Sequence, residues 1–238
     1  MISVAPKKLY FIHVGKTGGT YLGSALRVLK RKSGLEINFT GHSGKFRQIV
    51  KDPDALVMFG IRDPLDLFVS GFYSRQRKGA PRYHVEWSDG EAQAFGRFAT
   101  ANQLAEALSS EDADERSAAE DAMAAIKHVN GNLCRYLHGP SVVKNHQDQI
   151  FFIFRQSDLD HDLGTLYKIC GKSLPKKVTD DENLRHKNPD TIDRTLSETA
   201  TANLKNHYRK DIRVFNVCMK MHRDTLRRAK EIIANASS

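Results

Sequence analysis

The chain has 238 residues, 40% hydrophobic and 27% charged, enough apolar material for a core and too much for general disorder. The net charge of +9 is uneven: residues 106–121 hold seven acids against Arg116 alone, a net −6 that leaves +15 for the remainder. Such an excess attracts polyanions, whether nucleic acid, a phosphorylated cofactor or an acidic polysaccharide, and no apolar run approaches the roughly 18 residues of a membrane span.

The first element is the β-rich run Lys8–Val14, which stops abruptly at Gly15-Lys16-Thr17-Gly18-Gly19-Thr20. Leu22, Ala25, Leu26 and Leu29 then recur at helical spacing, so residues 8–32 read as strand, glycine-rich loop, helix. Ala55–Ile61 is too apolar for a one-sided strand and predicts one buried on both faces of a parallel sheet. Asp63 and Pro64 supply an N-cap and a first helical position. Leu65, Phe68, Val69, Phe72 and Tyr73 form the buried stripe of the helix that follows, and Ser70 falls off it, toward solvent or ligand.

Residues 79–92 lack periodicity and read as a long, mobile loop on the acceptor side, with helices expected over 93–108 and 113–129. Gln149–Phe154 predicts another buried strand, followed by a helix over 158–170 and a basic loop over 171–188. C-terminal helices occupy 189–235, where Leu204, Tyr208, Ile212, Phe215, Met219, His222 and Leu226 step by four and three. Strands alternating with helices predict an α/β fold in three layers, P-loop-like, with a central, mostly parallel sheet flanked by helices. No linker divides the chain, so 1–238 reads as one domain.

Cys134, Cys170 and Cys218 fit neither a disulfide framework nor a Cys-x-x-Cys clip, and the ten histidines show no ligand spacing, so no metal is expected. With no signal-peptide-like start, the expected setting is soluble and cytoplasmic. Zinc-finger spacing, paired RNP aromatics and a basic heptad are all missing, which argues against nucleic acid as partner.

Gly15-Lys16-Thr17 is not an ATPase loop, because the glycine required five residues before the Gly-Lys pair is Tyr10, inside the strand. Its physics still suits an anion. Gly18 and Gly19 permit close backbone approach, the helix start offers N–H groups and a positive dipole end, and Lys16 adds a charge.

His13-Val14-Gly15-Lys16-Thr17-Gly18-Gly19-Thr20 resembles the 5′-phosphosulfate loop V-P-K-T-G-G-T/S of carbohydrate sulfotransferases, with Gly15 in place of proline. Ile61-Arg62-Asp63-Pro64 with Ser70 is similar to the family's 3′-phosphate element. Phe39–Gly44 resembles the Gly-His segment of heparan sulfate 2-O-sulfotransferase and its relatives, in which the histidine is the catalytic base. The resemblance implies a sulfotransferase that uses 3′-phosphoadenylyl sulfate (PAPS) on a carbohydrate or glycoconjugate hydroxyl. Lys16, Thr17, Gly18, Gly19, Thr20, Arg62 and Ser70 would then bind the nucleotide, Arg185 and Lys187 would close over it, His42 would act as base and Lys16 would stabilise the leaving phosphate. His13, His84 and His186 compete for the role of base. Arg75, Arg77, Lys78 and Arg82 would suit an acidic sugar, with Tyr83 and Trp87 stacking on its ring. Two alternatives stand beside this reading: a nucleotide kinase or NTPase with a degenerate P-loop, and a non-enzymatic polyanion-binding module.

Overall fold

The computed structural model describes residues 8–81, 83–178 and 192–236. The chain divides into two compact units that interleave in sequence, the first built from 1–62, 133–185 and 213–238, the second from 63–132 and 186–212. In chain order the strands are β1 (Lys8–Ile12), β2 (Ile37–Phe39), β3 (Ala55–Ile61) and β4 (Ile150–Arg155). The helices are α1 (Gly19–Ser33), α2 (Phe46–Ile49), α3 (Pro64–Gln76), α4 (Asp89–Arg97), α5 (Ala101–Ala107), α6 (Ala113–Ala125), α7 (Leu133–Leu137), α8 (Pro140–Asn145), α9 (Leu159–Ile169), α10 (Glu198–His207) and α11 (Arg209–Ala236).

The first unit is the α/β part. Among the described residues its sheet runs β2-β1-β3-β4, every pair parallel, as the strand–helix alternation predicts. All seven residues of β3 are buried. Leu9, Phe11, Leu56, Met58, Phe152 and Phe154 carry one face onto Leu22, Ala25 and Leu29 of α1, Leu163 and Leu166 of α9, and Ala229 of α11. Side chains alternate along a strand, so Phe59 points the other way and meets Phe46 of α2 edge-on at 6.1 Å. Because β1 connects outward to β2 on one side and has β3 on its other, strand order reverses between β1 and β3. That reversal opens a crevice at the carboxyl ends of the two strands, where sheets of this kind hold ligands.

The second unit is helical. Phe68, Val69, Phe72 and Tyr73 of α3 pack with Ala94, Leu104, Ala122, Met123, Leu204 and Tyr208, and the Tyr208 hydroxyl donates to Val129 O at 2.8 Å. The single helix expected over 93–108 is two, because each has its own reciprocal cap: Ser88 with Glu91 starts α4, and Thr100 with Gln103 starts α5. The last four residues of the expected 79–92 loop therefore belong to α4. No described helix is long and apolar enough to cross a membrane.

Candidate functional site

The loop after β1 is fixed by internal bonds. Val14 N donates to Ile12 O at 3.0 Å, and the buried Thr17 hydroxyl donates to Val14 O at 2.9 Å. Thr17 is thus a brace whose side chain is spent inward, so its backbone N–H is what it can offer an anion. Gly60 in the adjacent β3 makes room for it, since a Cβ there would lie 2.7 Å from Thr17 Oγ1. Lys16 at φ 61° and Gly18 at φ 79° both adopt the left-handed conformation, which glycine tolerates and lysine holds at a cost. Gly18 is the N-cap of α1, with no side-chain capping bond and no acid in the helix's first turn, so neither offsets the positive dipole end.

Arg62 follows β3, and its Nη1 donates to Lys16 O at 3.3 Å. This bond brings the end of β3 to the glycine-rich loop, on either side of the crevice where strand order reverses. The cation ending β4 is committed elsewhere: Arg155 binds Asp162 at 2.7 Å and Asp158 at 3.1 Å.

His42 sits in the 3₁₀ turn Gly41–Ser43, one residue beyond Thr40, which follows β2. The Thr40 amide and hydroxyl both donate to Phe11 O, each at 3.2 Å, which ties this turn to β1. The His42 ring lies 4.1 Å from that of His13, centroid to centroid. Desolvation, and then the positive charge of Arg135, hold the exposed His42 below the usual imidazole pKa, which favours the neutral, proton-accepting form near pH 7. Sequence reasoning missed Arg135, whose charge reaches His42 from 93 residues along the chain, a distance no local pattern bridges.

The first unit therefore brings together Lys16, Thr17, Gly18, Gly19, Thr20 and Arg62, and pairs His42 with His13. Ser70 lies on α3 in the second unit and is 6% exposed, so of its two expected settings, solvent or ligand, solvent is ruled out: α3 is buried on nearly every side. Arg75 is also corrected. It is 2% exposed and bound to Glu91 at 2.6 Å, so it is structural rather than a contact for an acidic sugar. Trp87 donates to Arg75 O at 2.8 Å and packs on Phe95, while Tyr83 is 41% exposed. Among the competing bases, His84 is bound to Glu86 at 2.6 Å. Arg82, Arg185, His186 and Lys187 lie outside the described residues.

No family model, curated protein or solved structure matches this chain.

Proposed function

We propose that the protein is a PAPS-dependent sulfotransferase with a P-loop-like first unit, moving a sulfuryl group to a hydroxyl of a carbohydrate or glycoconjugate. The observation that carries this reading is the bond between Arg62 and the Lys16 loop, which sets two cationic anchors at the strand-order reversal of a parallel sheet. A nucleotide with a 5′-phosphosulfate and a separate 3′-phosphate calls for two such anchors. The residues present fit it: the start of α1 has no side-chain cap and no acid in its first turn, and a lysine and an arginine lie beside it.

Lys16 and the backbone N–H groups of residues 17–20 would hold the phosphosulfate, and Arg62 the 3′-phosphate. The bound nucleotide supplies an activated sulfuryl group. His42 accepts the proton of the acceptor hydroxyl as its oxygen attacks sulfur. Lys16 stabilises the charge that develops on the departing phosphate oxygen.

Calorimetric titration with adenosine 3′,5′-bisphosphate, with ATP and 5′-AMP as controls and with and without Mg²⁺, tests the proposal. Binding that needs the 3′-phosphate but not Mg²⁺ is expected, weakened at least ~10-fold in Lys16→Ala and in Arg62→Ala and retained in His42→Ala. Indifference to the 3′-phosphate overturns the reading. Mg²⁺-dependent ATP binding would then favour a kinase or NTPase. Steeply salt-dependent heparin binding untouched by Lys16→Ala would favour a polyanion-binding module.

A further inference from the structure

Gly19 has an ordinary helical backbone, so its conformation does not call for glycine. A neighbouring ring does. A Cβ at Gly19 would lie 2.3 Å from Cδ2 and 2.5 Å from Nε2 of His13, a separation that Cβ atoms do not tolerate. The two glycines of the loop thus have different reasons to exist: Gly18 supplies a left-handed φ, and Gly19 supplies space for an imidazole.

That imidazole also meets His42. Its ring centroid is 4.1 Å from that of His42, with the planes at 40°, and 6.3 Å from that of Phe11. The turn carrying His42 is fastened to the same strand, through Thr40 to Phe11 O, two residues before His13. Gly44 makes that fastening possible, because a Cβ there would lie 1.9 Å from Thr40 Oγ1. His13 is therefore in contact with both the first residue of α1 and the candidate base.

We infer that His13 is a positioning residue, whose ring packs on Gly19 and on His42 and so fixes the His42 imidazole relative to the anion-binding start of α1. This role rests on the proposed sulfotransferase reading for its purpose, whereas the contacts stand without it. The charged and titratable groups that bear on His42 are His13, which follows β1, and Arg135 from α7. Arg135 disfavours a charged His42 through its field. His13 acts by packing, removing water from one side of the ring and limiting its rotation.

The test is an NMR titration of the His42 imidazole, assigned with His42→Gln, in the wild type, His13→Ala, His13→Phe and Gly19→Ala, with adenosine 3′,5′-bisphosphate affinity measured in parallel. His13→Ala and Gly19→Ala, which respectively remove and displace the ring, are expected to raise the His42 midpoint by about half a pH unit. His13→Phe preserves the packing surface and is expected to keep the wild-type midpoint, with bisphosphate affinity within ~3-fold of wild type. An unchanged midpoint in both His13→Ala and Gly19→Ala overturns the inference. So does a midpoint that moves as far in His13→Phe as in His13→Ala, since that would assign the effect to the imidazole's polarity. Absence of bisphosphate binding by the wild type counts against the sulfotransferase reading alone, and the His42 titration still decides the contact.

Discussion

Arg75 and Glu91 are 2% and 0% exposed, joined by hydrogen bonds of 2.7 and 2.6 Å. Two further N–H groups of Arg75 reach Val85 O and Glu86 O, and Glu91 also accepts from the amides of Ser88 and Lys127. Burial alone would raise the Glu91 carboxyl, but its hydrogen bonds from Arg75, Ser88 and Lys127 and the charge of Arg75 outweigh that and hold it at about 2. With the folded value below the unfolded one, the pair stabilises the protein at pH above the ordinary carboxylate range. That contribution is lost as pH falls through that range toward about 2. Arg75→Ala strands a buried carboxylate and is expected to cost about 3–5 kcal/mol at pH 7. In urea unfolding the cost should shrink at pH 3, where Glu91 of the variant can take up a proton. An equal cost at both pH values would show that lost packing, not the uncompensated charge, is responsible. Nothing local in the sequence distinguishes this arginine from its neighbours in the run 75–78. Its partner lies 16 residues away, beyond a segment with no periodicity, and the pairing emerges when the fold folds Glu91 back over α3.

At the scale of elements, legibility followed the length of the signal. The all-apolar run of β3 and the abrupt glycine stop after β1 define their own boundaries. β2 is three residues long, and the alternation of Leu35, Ile37 and Phe39 that would have found it is short enough to pass as loop. The C-terminal stripe holds at Leu204, Tyr208 and His222, which are buried, and slips between them for a different reason. α10 ends at His207 and α11 begins at Arg209, so a periodicity counted across the break loses phase. The residues of α11 that are buried are Val214, Cys218, His222, Thr225 and Ala229, and Met219 is 39% exposed. Coupling between elements was not legible at all, and Gly60 is the example with a consequence for the site. Gly60→Ala places a methyl group 2.7 Å from Thr17 Oγ1 and 3.1 Å from Leu22 Cδ1, so either the glycine-rich loop or α1 must shift. The expected result is a loss of about 1–3 kcal/mol of stability together with at least ~10-fold weaker bisphosphate binding. Adding Thr17→Ala, which removes the Oγ1 that the new methyl would meet, should cost less than the sum of the two single variants, as expected for residues in contact. Strict additivity in that double-mutant cycle would place the strain elsewhere.

For the whole molecule, the strand, glycine-rich loop and helix at the start of the chain and the buried strand before Arg62 were readable because each has a local sequence signature. The two-unit division was not, since the chain passes between units at 62–63, 132–133, 185–186 and 212–213 without a linker composition at any of them. Free thiols give a way to connect the site with the stability of the first unit. Cys218 is fully buried in α11, where burial pushes its thiol up to about 12, whereas Cys134 is partly exposed. A thiol so protonated and enclosed reacts with an alkylating reagent after the helix opens, so its labelling rate measures that opening. If opening α11 also dismantles the sheet whose strand ends carry the proposed anion site, ligand must slow the labelling by mass action. Adenosine 3′,5′-bisphosphate at 100 times its dissociation constant should slow Cys218 labelling by roughly 100-fold, leave Cys134 labelling nearly unchanged, and have no such effect in Lys16→Ala. Slowing that is missing in a wild type shown to bind the nucleotide would mean that α11 detaches while β1, β3 and the loop between β1 and α1 stay assembled. The first unit would then hold its anion site on a sheet that does not need its longest helix.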